Sequence, residues 1–196
     1  MKLLFVDCCI SQRGKDSRTR ALADAFLEAF RASHPTAEVE TVEPAALGLR
    51  SFDPEMLNDR DALAGIGAWD APVFEAARQF RAADGVVVAA PFWDLSFPSV
   101  LRTYIEYICA NGLTYHYEAD GCHGDCKASR LVYLTSGGDF EREDSLGVLY
   151  WRQLCAMFGI GKFDYVFAGG LDTDPALAPE RLEAACALAR RLAEKF

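Results

Sequence analysis

The sequence predicts an α/β fold in which five parallel strands form a doubly wound sheet with helices on both faces. Short apolar runs of strand length alternate five times with longer segments of helical periodicity. This alternation predicts parallel strands, because each intervening helix carries the chain back across the sheet. The order 2-1-3-4-5 fits five such units. The 196 residues contain no low-complexity linker, so we expect residues 1–196 to form a single domain.

The first half of the chain supplies three of these strands. Residues 3–6 are an apolar run, and the polar loop after them ends in Ser17, a residue suited to capping a helix. Apolar residues then recur at helical spacing as far as Pro35, where the helix is expected to stop. Residues 39–43 alternate and predict the second strand. Two helical segments follow, and the β-branched run at residues 85–90 predicts the third strand.

The second half of the chain supplies the remaining two strands. Residues 99–109 have the pattern of an amphipathic helix. Residues 114–117 favour strand, and we expect a polar loop from residue 118 to residue 128. The fourth strand is predicted at residues 131–134 and the fifth at residues 163–167. One helix is predicted between these strands and another begins near residue 179.

The composition excludes several classes of protein. The net charge of −9 argues against a general nucleic-acid binder, which would carry a basic stripe. No apolar segment reaches the length of a membrane span. The N-terminal apolar run is too short for the core of a signal peptide, which predicts a cytoplasmic location. The seven cysteines, an odd number, indicate reduced thiols rather than a disulfide framework.

An aromatic loop follows the third predicted strand, at residues 91–98. It contains Phe92, Trp93 and Phe97 together with Asp94 and two prolines. Ligands of open parallel sheets lie beyond the carboxyl ends of the strands, so this loop is placed to hold a flat ligand. The same aromatic residues could instead pack in the core or form a dimer contact.

Two further loops are predicted to reach the same crevice, which lies where the first and third strands diverge. Ser17, Arg18 and Thr19 open the first helix, where hydroxyl groups and free amide N–H groups could bind a phosphate. Ser17 could equally be only a helix cap. The spaced glycines of a P-loop are missing. After the fourth strand, Ser136 and the small residues beside it would let the backbone approach a ligand closely.

Other candidate sites have less support from their spacing. The segment from Cys122 to Cys126 includes a histidine and an aspartate, but no second pair of ligands matches it, so we expect no metal site. Cys8 and Cys9 follow the first strand and could be either reactive thiols or small buried residues. The histidines show no spacing typical of a hydrolytic triad.

Four stretches carry a resemblance to a known family. They are residues 17–23 (SRTRALA), 90–98 (APFWDLSFP), 112–117 (GLTYHY) and 135–138 (TSGG). With the strand pattern, they resemble the flavodoxin-like FMN-dependent NAD(P)H oxidoreductases, the group that contains azoreductases and quinone reductases. Members often have Tyr-Asn or Tyr-Trp where this chain has Phe92-Trp93, so contacts with the flavin ring are expected to differ.

The resemblance implies a set of residues for each part of the site. Ser17 and Thr19 would hold the FMN phosphate, and Tyr117 would line the substrate pocket at a dimer interface. The chemistry is centred on the flavin, so no catalytic acid or base is expected. The implied cofactor-binding residues are Ser11, Ser17, Arg18, Thr19, Pro91, Phe92, Trp93, Asp94, Ser136, Gly137 and Gly138.

The activity implied by the resemblance is two-electron hydride transfer in two steps. NADH or NADPH would reduce FMN, and a quinone, azo or nitro aromatic compound would then take the place of the nicotinamide. The implied partners are this small acceptor, NAD(P)H and a second copy of the chain. Two alternatives stay open, namely a flavodoxin-type electron carrier and a non-enzymatic redox sensor that uses its thiols.

Overall fold

A computed structural model describes residues 1–141 and 145–196, and its main feature is a five-stranded parallel sheet. The strands are β1 (Lys2–Asp7), β2 (Glu38–Val42), β3 (Gly85–Ala89), β4 (Tyr115–Glu118), β5 (Gly121–Gly124), β6 (Arg130–Ser136) and β7 (Lys162–Ala168). The helices are α1 (Arg18–Ser33), α2 (Pro54–Gly65), α3 (Glu75–Ala82), α4 (Ser99–Ile108), α5 (Leu146–Phe158) and α6 (Ala178–Glu194). Within the described ranges, no helix combines the length and the apolar character needed to cross a membrane.

The strand order of the sheet is β2-β1-β3-β6-β7, and all four pairings are parallel. Once the separate β4–β5 hairpin is set aside, this is the predicted order 2-1-3-4-5, so the fold prediction is confirmed. In the register, Leu3 lies opposite Gly85, and Val86 lies opposite Leu131. The direction of the strand order reverses between β1 and β3, which is where a crevice is expected.

The two faces of the sheet are covered by different helices. Successive side chains along a strand point to opposite faces. Leu4 and Val6 of β1 therefore pack with α3, α4 and α5, while Leu3 and Phe5 pack with α1 and α6. The three central strands are buried on both faces, which explains why their sequences read as continuous apolar runs.

The loops that leave the sheet are held by hydrogen bonds that extend the strand ladders. The amide of Ala90 donates to the Leu134 carbonyl at 3.1 Å, and the amide of Phe92 donates to the Ser136 carbonyl at 3.0 Å. Beyond the end of β6, the amide of Gly137 donates to the Ala168 carbonyl at 3.0 Å. The first residues of these loops are therefore fixed by the sheet itself.

The antiparallel hairpin β4–β5 corrects the sequence prediction, in which residues 118–128 were expected to form a polar loop. β5 pairs with β4 so that His123 lies opposite His116. The sequence of β5 contains two glycines and has low strand propensity. Packing supplies what propensity lacks: a Cβ atom built on Gly124 would lie only 1.9 Å from the backbone nitrogen of Gly159, at the end of α5. Only glycine allows this close approach.

Candidate functional site

The N-terminus of α1 forms one wall of the crevice. The Ser17 side chain accepts a long hydrogen bond of 3.4 Å from the amide of Arg20, which confirms that Ser17 is the N-cap. The first amide N–H groups of a helix have no partner within the helix, and they carry the positive end of its dipole. Ser17 and Thr19 are both almost fully buried. This end of the helix can therefore offer several donors to an anion.

A buried ion pair holds α1 against the sheet. Asp7 at the end of β1 has a side chain that is 3% exposed and forms an ion pair with Arg20. The same carboxylate accepts a hydrogen bond of 3.0 Å from the amide of Cys9. A buried charge is costly unless it is paired, so Asp7 depends on both partners. The pair fixes the distance between β1 and the first turn of α1.

A second contact joins α1 to β6. The hydroxyl groups of Thr19 and Ser136 lie 2.6 Å apart in a buried hydrogen bond. Both residues were predicted from sequence as cofactor ligands on separate loops, and their contact with each other was not predicted. It brings the first turn of α1 directly against the end of β6.

A polar cavity of about 170 Å³ lies between these elements. Ten of the eleven residues predicted to bind the cofactor line it, and Asp94 is the exception. The lining residues are Cys9, Ser11, Arg13, Ser17, Arg18, Thr19, Pro91, Phe92, Trp93, Ser136, Gly137, Gly138 and Asp172. The cavity combines hydroxyl groups, a helix N-terminus and guanidinium groups, a donor set suited to an anion. Whether these residues bind a cofactor stays a prediction.

A second cavity, of about 210 Å³, adjoins the first at Phe92. Its wall is mostly aromatic and aliphatic. The residues that line it are Phe92, Leu95, Asp139, Phe140, Ser145, Leu146 and Phe167. Phe92 and Phe167 pack edge to face, with ring centroids 5.2 Å apart. The polar and apolar cavities together form a crevice with one anion-binding end and one aromatic end.

Gly137 lies where the two aromatic rings meet the loop after β6. A Cβ atom built there would approach Phe167 to 3.0 Å and Phe92 to 3.3 Å. The sequence interpretation was that this glycine lets the backbone approach a ligand. The structure adds that a larger residue would push the two rings away from the crevice.

The aromatic loop contains a strained turn between Trp93 and Ser96. The amide of Ser96 donates to the Trp93 carbonyl at 2.8 Å, and the two central residues have positive φ, +50° for Asp94 and +67° for Leu95. Non-glycine residues rarely adopt this conformation, and such strain is common at functional sites. Asp94 lies in the turn and not in the wall of either cavity. Leu95 is 60% exposed and contributes to the apolar cavity.

Tyr117 lies apart from both cavities. It is on β4, it is 66% exposed, and its ring packs edge to face on Tyr115. The structure of one chain therefore does not bring Tyr117 together with the other predicted site residues.

Sequence reasoning missed several residues of the crevice. Cys9, Arg13 and Asp172 line the polar cavity, and the loop after β7 was not considered as part of the site. The signal was available, because β7 is also a parallel strand and its carboxyl end opens on the same edge of the sheet. Asp172 forms an ion pair with Arg18, with Nη1 and Oδ1 2.7 Å apart.

The cysteines beside the crevice are poorly suited to thiol chemistry. Burial raises the pKa of the Cys9 thiol to about 12 and also raises the pKa of Cys8. Burial likewise raises the pKa of Cys126 to about 12, and its thiol donates to the Thr114 carbonyl. Because the thiolate is the reactive form, the raised pKa disfavours reaction of these three thiols near neutral pH. Cys122 is exposed.

Comparison with known proteins places the chain in a family. A family model described as flavodoxin-like fold matches residues 1–192. The chain belongs to this flavodoxin-like family. It is similar to FMN-dependent NADH:quinone oxidoreductase 2 of Clostridium acetobutylicum, with 34% identity over 176 residues that cover 87% of each chain. A protein of the same name from Clostridium perfringens is 30% identical, and the alignment covers 100% of this chain and 99% of that relative.

A solved structure agrees with this placement. The azoreductase from Bacillus anthracis superimposes with a TM-score of 0.88 and 27% identity, and the match covers 100% of both chains. The structural match therefore extends over the whole of this flavodoxin-like chain.

We expect Thr19→Val to lower the free energy of unfolding of this flavodoxin-like protein by about 1–3 kcal/mol, because the buried Ser136 hydroxyl loses its partner. Valine keeps the shape of threonine, so packing is nearly unchanged. Chemical denaturation measures the effect. Adding Ser136→Ala to the Thr19→Val variant should recover part of the loss, since neither of these two positions then carries a hydroxyl without its partner. A Thr19→Val protein as stable as the wild type would contradict the prediction.

Proposed function

We propose that this flavodoxin-like protein is an FMN-dependent NAD(P)H oxidoreductase that reduces quinones and azo or nitro aromatic compounds. The observation that carries the proposal is the crevice at the carboxyl edge of the sheet, with its anion-binding end and its aromatic end joined at Phe92. The names of the relatives, NADH:quinone oxidoreductases and an azoreductase, support the same activity.

The polar end of the crevice fits the phosphate of FMN. Ser17, Arg18 and the first amides of α1 would hold it, because they provide hydroxyl, guanidinium and N–H donors in one place. Ser11 and Thr19 lie in the same wall. Gly138 keeps that wall open, since a Cβ atom there would meet the Asp172 carboxylate at 2.3 Å.

The aromatic end fits a flat ring system. Pro91, Phe92 and Trp93 would lie along the flavin, and Ser136 and Gly137 would line its far edge. When bound, FMN supplies two-electron hydride chemistry between NAD(P)H and the acceptor. The chain's own contribution is to orient the reactants and to keep water out. The rigid attachment of Phe92 to Ser136 through the sheet ladder suits this role.

The two alternatives have less support. Both curated relatives described above are named as oxidoreductases, which favours an enzyme over a flavodoxin-type carrier. A thiol sensor that uses Cys8, Cys9 or Cys126 is disfavoured because burial raises the pKa of each of these thiols. The single domain and the cytoplasmic location stay predictions.

We also propose a homodimer in which Tyr117 of one chain completes the substrate pocket of the other. An apolar groove of about 490 Å³ is lined in part by Phe97, Leu146, Leu149 and Tyr150, and it lies next to the crevice. Leu146 is 55% exposed. Exposed apolar patches of this kind mark interfaces, and a partner covering this groove would also enclose the aromatic cavity.

The activity is tested on purified protein reconstituted with FMN. We expect oxidation of NADH or NADPH in the presence of a soluble benzoquinone. The kinetics should be ping-pong, because the quinone would take the place that the nicotinamide leaves. The measurement is loss of nicotinamide absorbance against quinone concentration. Failure to bind FMN, or to reduce any quinone or azo dye with either nucleotide, would contradict the proposed function.

Ser17→Ala should weaken FMN binding by about 1.5–3 kcal/mol, the range for a hydrogen bond to a charged group. Fluorescence titration of flavin-free protein measures it. Asp53→Ala is a matched control. Asp53 caps α2 by accepting from the Met56 amide at 2.9 Å, and it lines neither cavity of the crevice. Both changes remove a helix cap, but only the first should alter FMN affinity. Equal FMN affinity in the two variants would place the phosphate elsewhere.

Leu146→Glu should convert the dimer to a monomer, because it puts a charge in the wall of the apolar groove. Sedimentation velocity gives the mass of each species. Leu47→Glu is the control, since Leu47 is 46% exposed and lies outside the groove. A wild-type protein with the mass of one chain would overturn the dimer proposal.

A further inference from the structure

We infer that Asp172 competes with the phosphate of FMN for Arg18, so that this carboxylate sets how strongly the site prefers phosphorylated flavins. The inference rests on the proposed function. It concerns the loop after β7, which neither the sequence motifs nor the names of the relatives assign to any role.

The position of Asp172 is fixed by the backbone around it. Its amide donates to the Gly138 carbonyl at 2.9 Å, and the amide of Leu171 donates to the Gly137 carbonyl at 3.3 Å. These two bonds fasten the loop after β7 to the loop after β6. The Asp172 side chain consequently stands in the wall of the polar cavity, together with Ser17 and Arg18.

The carboxylate occupies space that only glycine leaves open. A Cβ atom on Gly138 would lie 2.3 Å from Asp172 Oδ2 and 3.1 Å from its Cγ. Gly138 was predicted from sequence to approach the cofactor. In the structure the Asp172 side chain occupies the space beside Gly138.

The charges in the cavity oppose one another. Arg18 begins α1, where the helix dipole and the free N–H groups favour an anion. The anion already beside it is the Asp172 carboxylate, 2.7 Å from Nη1. A phosphate monoester entering this site therefore meets a guanidinium that is already paired.

The ion pair can exchange partners because it is partly in water. The Arg18 side chain is 33% exposed and that of Asp172 is 66% exposed. An exposed ion pair contributes little stability. The Asp7–Arg20 pair, two residues further along α1, is different, since its carboxylate is 3% exposed and holds the helix in place. Arg18, unlike Arg20, can therefore release its carboxylate partner and pair with a bound ligand instead.

The test compares FMN with riboflavin, which lacks the phosphate, on flavin-free full-length protein. Dissociation constants come from quenching of flavin fluorescence, and circular dichroism verifies that each variant is folded. The variants are Asp172→Asn, Arg18→Gln and the two combined. Asp174→Asn is the matched control, because it removes one negative charge from the same loop. The Asp174 side chain accepts from the Ala176 amide and does not line the polar cavity.

We expect Asp172→Asn to tighten FMN binding by about two- to fivefold, the range set by loss of an exposed ion pair, with riboflavin unchanged. Arg18→Gln should weaken FMN by about ten- to a hundredfold and leave riboflavin unchanged. In the Arg18→Gln background, Asp172→Asn should no longer tighten FMN, since there is nothing left to compete for. Asp174→Asn should leave both affinities at the wild-type value.

Four results would overturn the inference. The first is an unchanged FMN affinity in Asp172→Asn. The second is weaker binding of both FMN and riboflavin in that variant, which would make the carboxylate a ligand of the part that the two flavins share. Equal tightening with Arg18→Gln present, or equal tightening by Asp174→Asn, would indicate general charge repulsion instead of competition. A wild-type protein that binds neither flavin contradicts the proposed function itself and is distinguishable from the other results.

Discussion

The hydrogen-bond ladder of the parallel sheet continues past the ends of the strands, and the crevice depends on this continuation. Phe92 and Gly137 are bonded to the backbones of Ser136 and Ala168 as if they were strand residues. Two loops that would otherwise move independently are thereby held at the spacing of neighbouring strands. The aromatic wall and the glycine wall of the crevice inherit the rigidity of the buried sheet.

The helix that supplies the anion-binding end is attached to this frame by two buried polar contacts. Asp7 pairs with Arg20, and the Thr19 hydroxyl bonds to that of Ser136. Apolar packing of α1 on the sheet would tolerate small shifts along the helix axis, whereas directional contacts of these kinds do not. The N-terminal amides of α1 therefore face the polar cavity in a defined position.

Two features of the crevice cost the fold stability. Asp94 and Leu95 adopt positive φ, and Leu95 and Leu146 expose apolar surface. Both features are unfavourable in the chain alone. Each becomes understandable if a cofactor, a substrate or a second chain completes the surface.

Much of the architecture could be predicted from local sequence. The alternation of apolar runs with helical periodicity is a local property, and it led to the correct five-strand order. The Ser17 cap is also local, because a cap is a contact between residues three positions apart. Ten of the predicted cofactor-binding residues lie around one cavity because loops at the carboxyl ends of parallel strands must share one edge.

Periodicity and chain direction are enough to predict the parallel α/β class, the strand order and the three loops that meet at the crevice. The β4–β5 hairpin, the packing of Phe92 and the entry of Asp172 into the polar cavity emerge only in the folded chain. These depend on contacts between segments distant in sequence: Gly124 against Gly159, Phe92 against Phe167, and Asp172 against Arg18. No local pattern encodes such contacts, because each partner alone is compatible with many other surroundings.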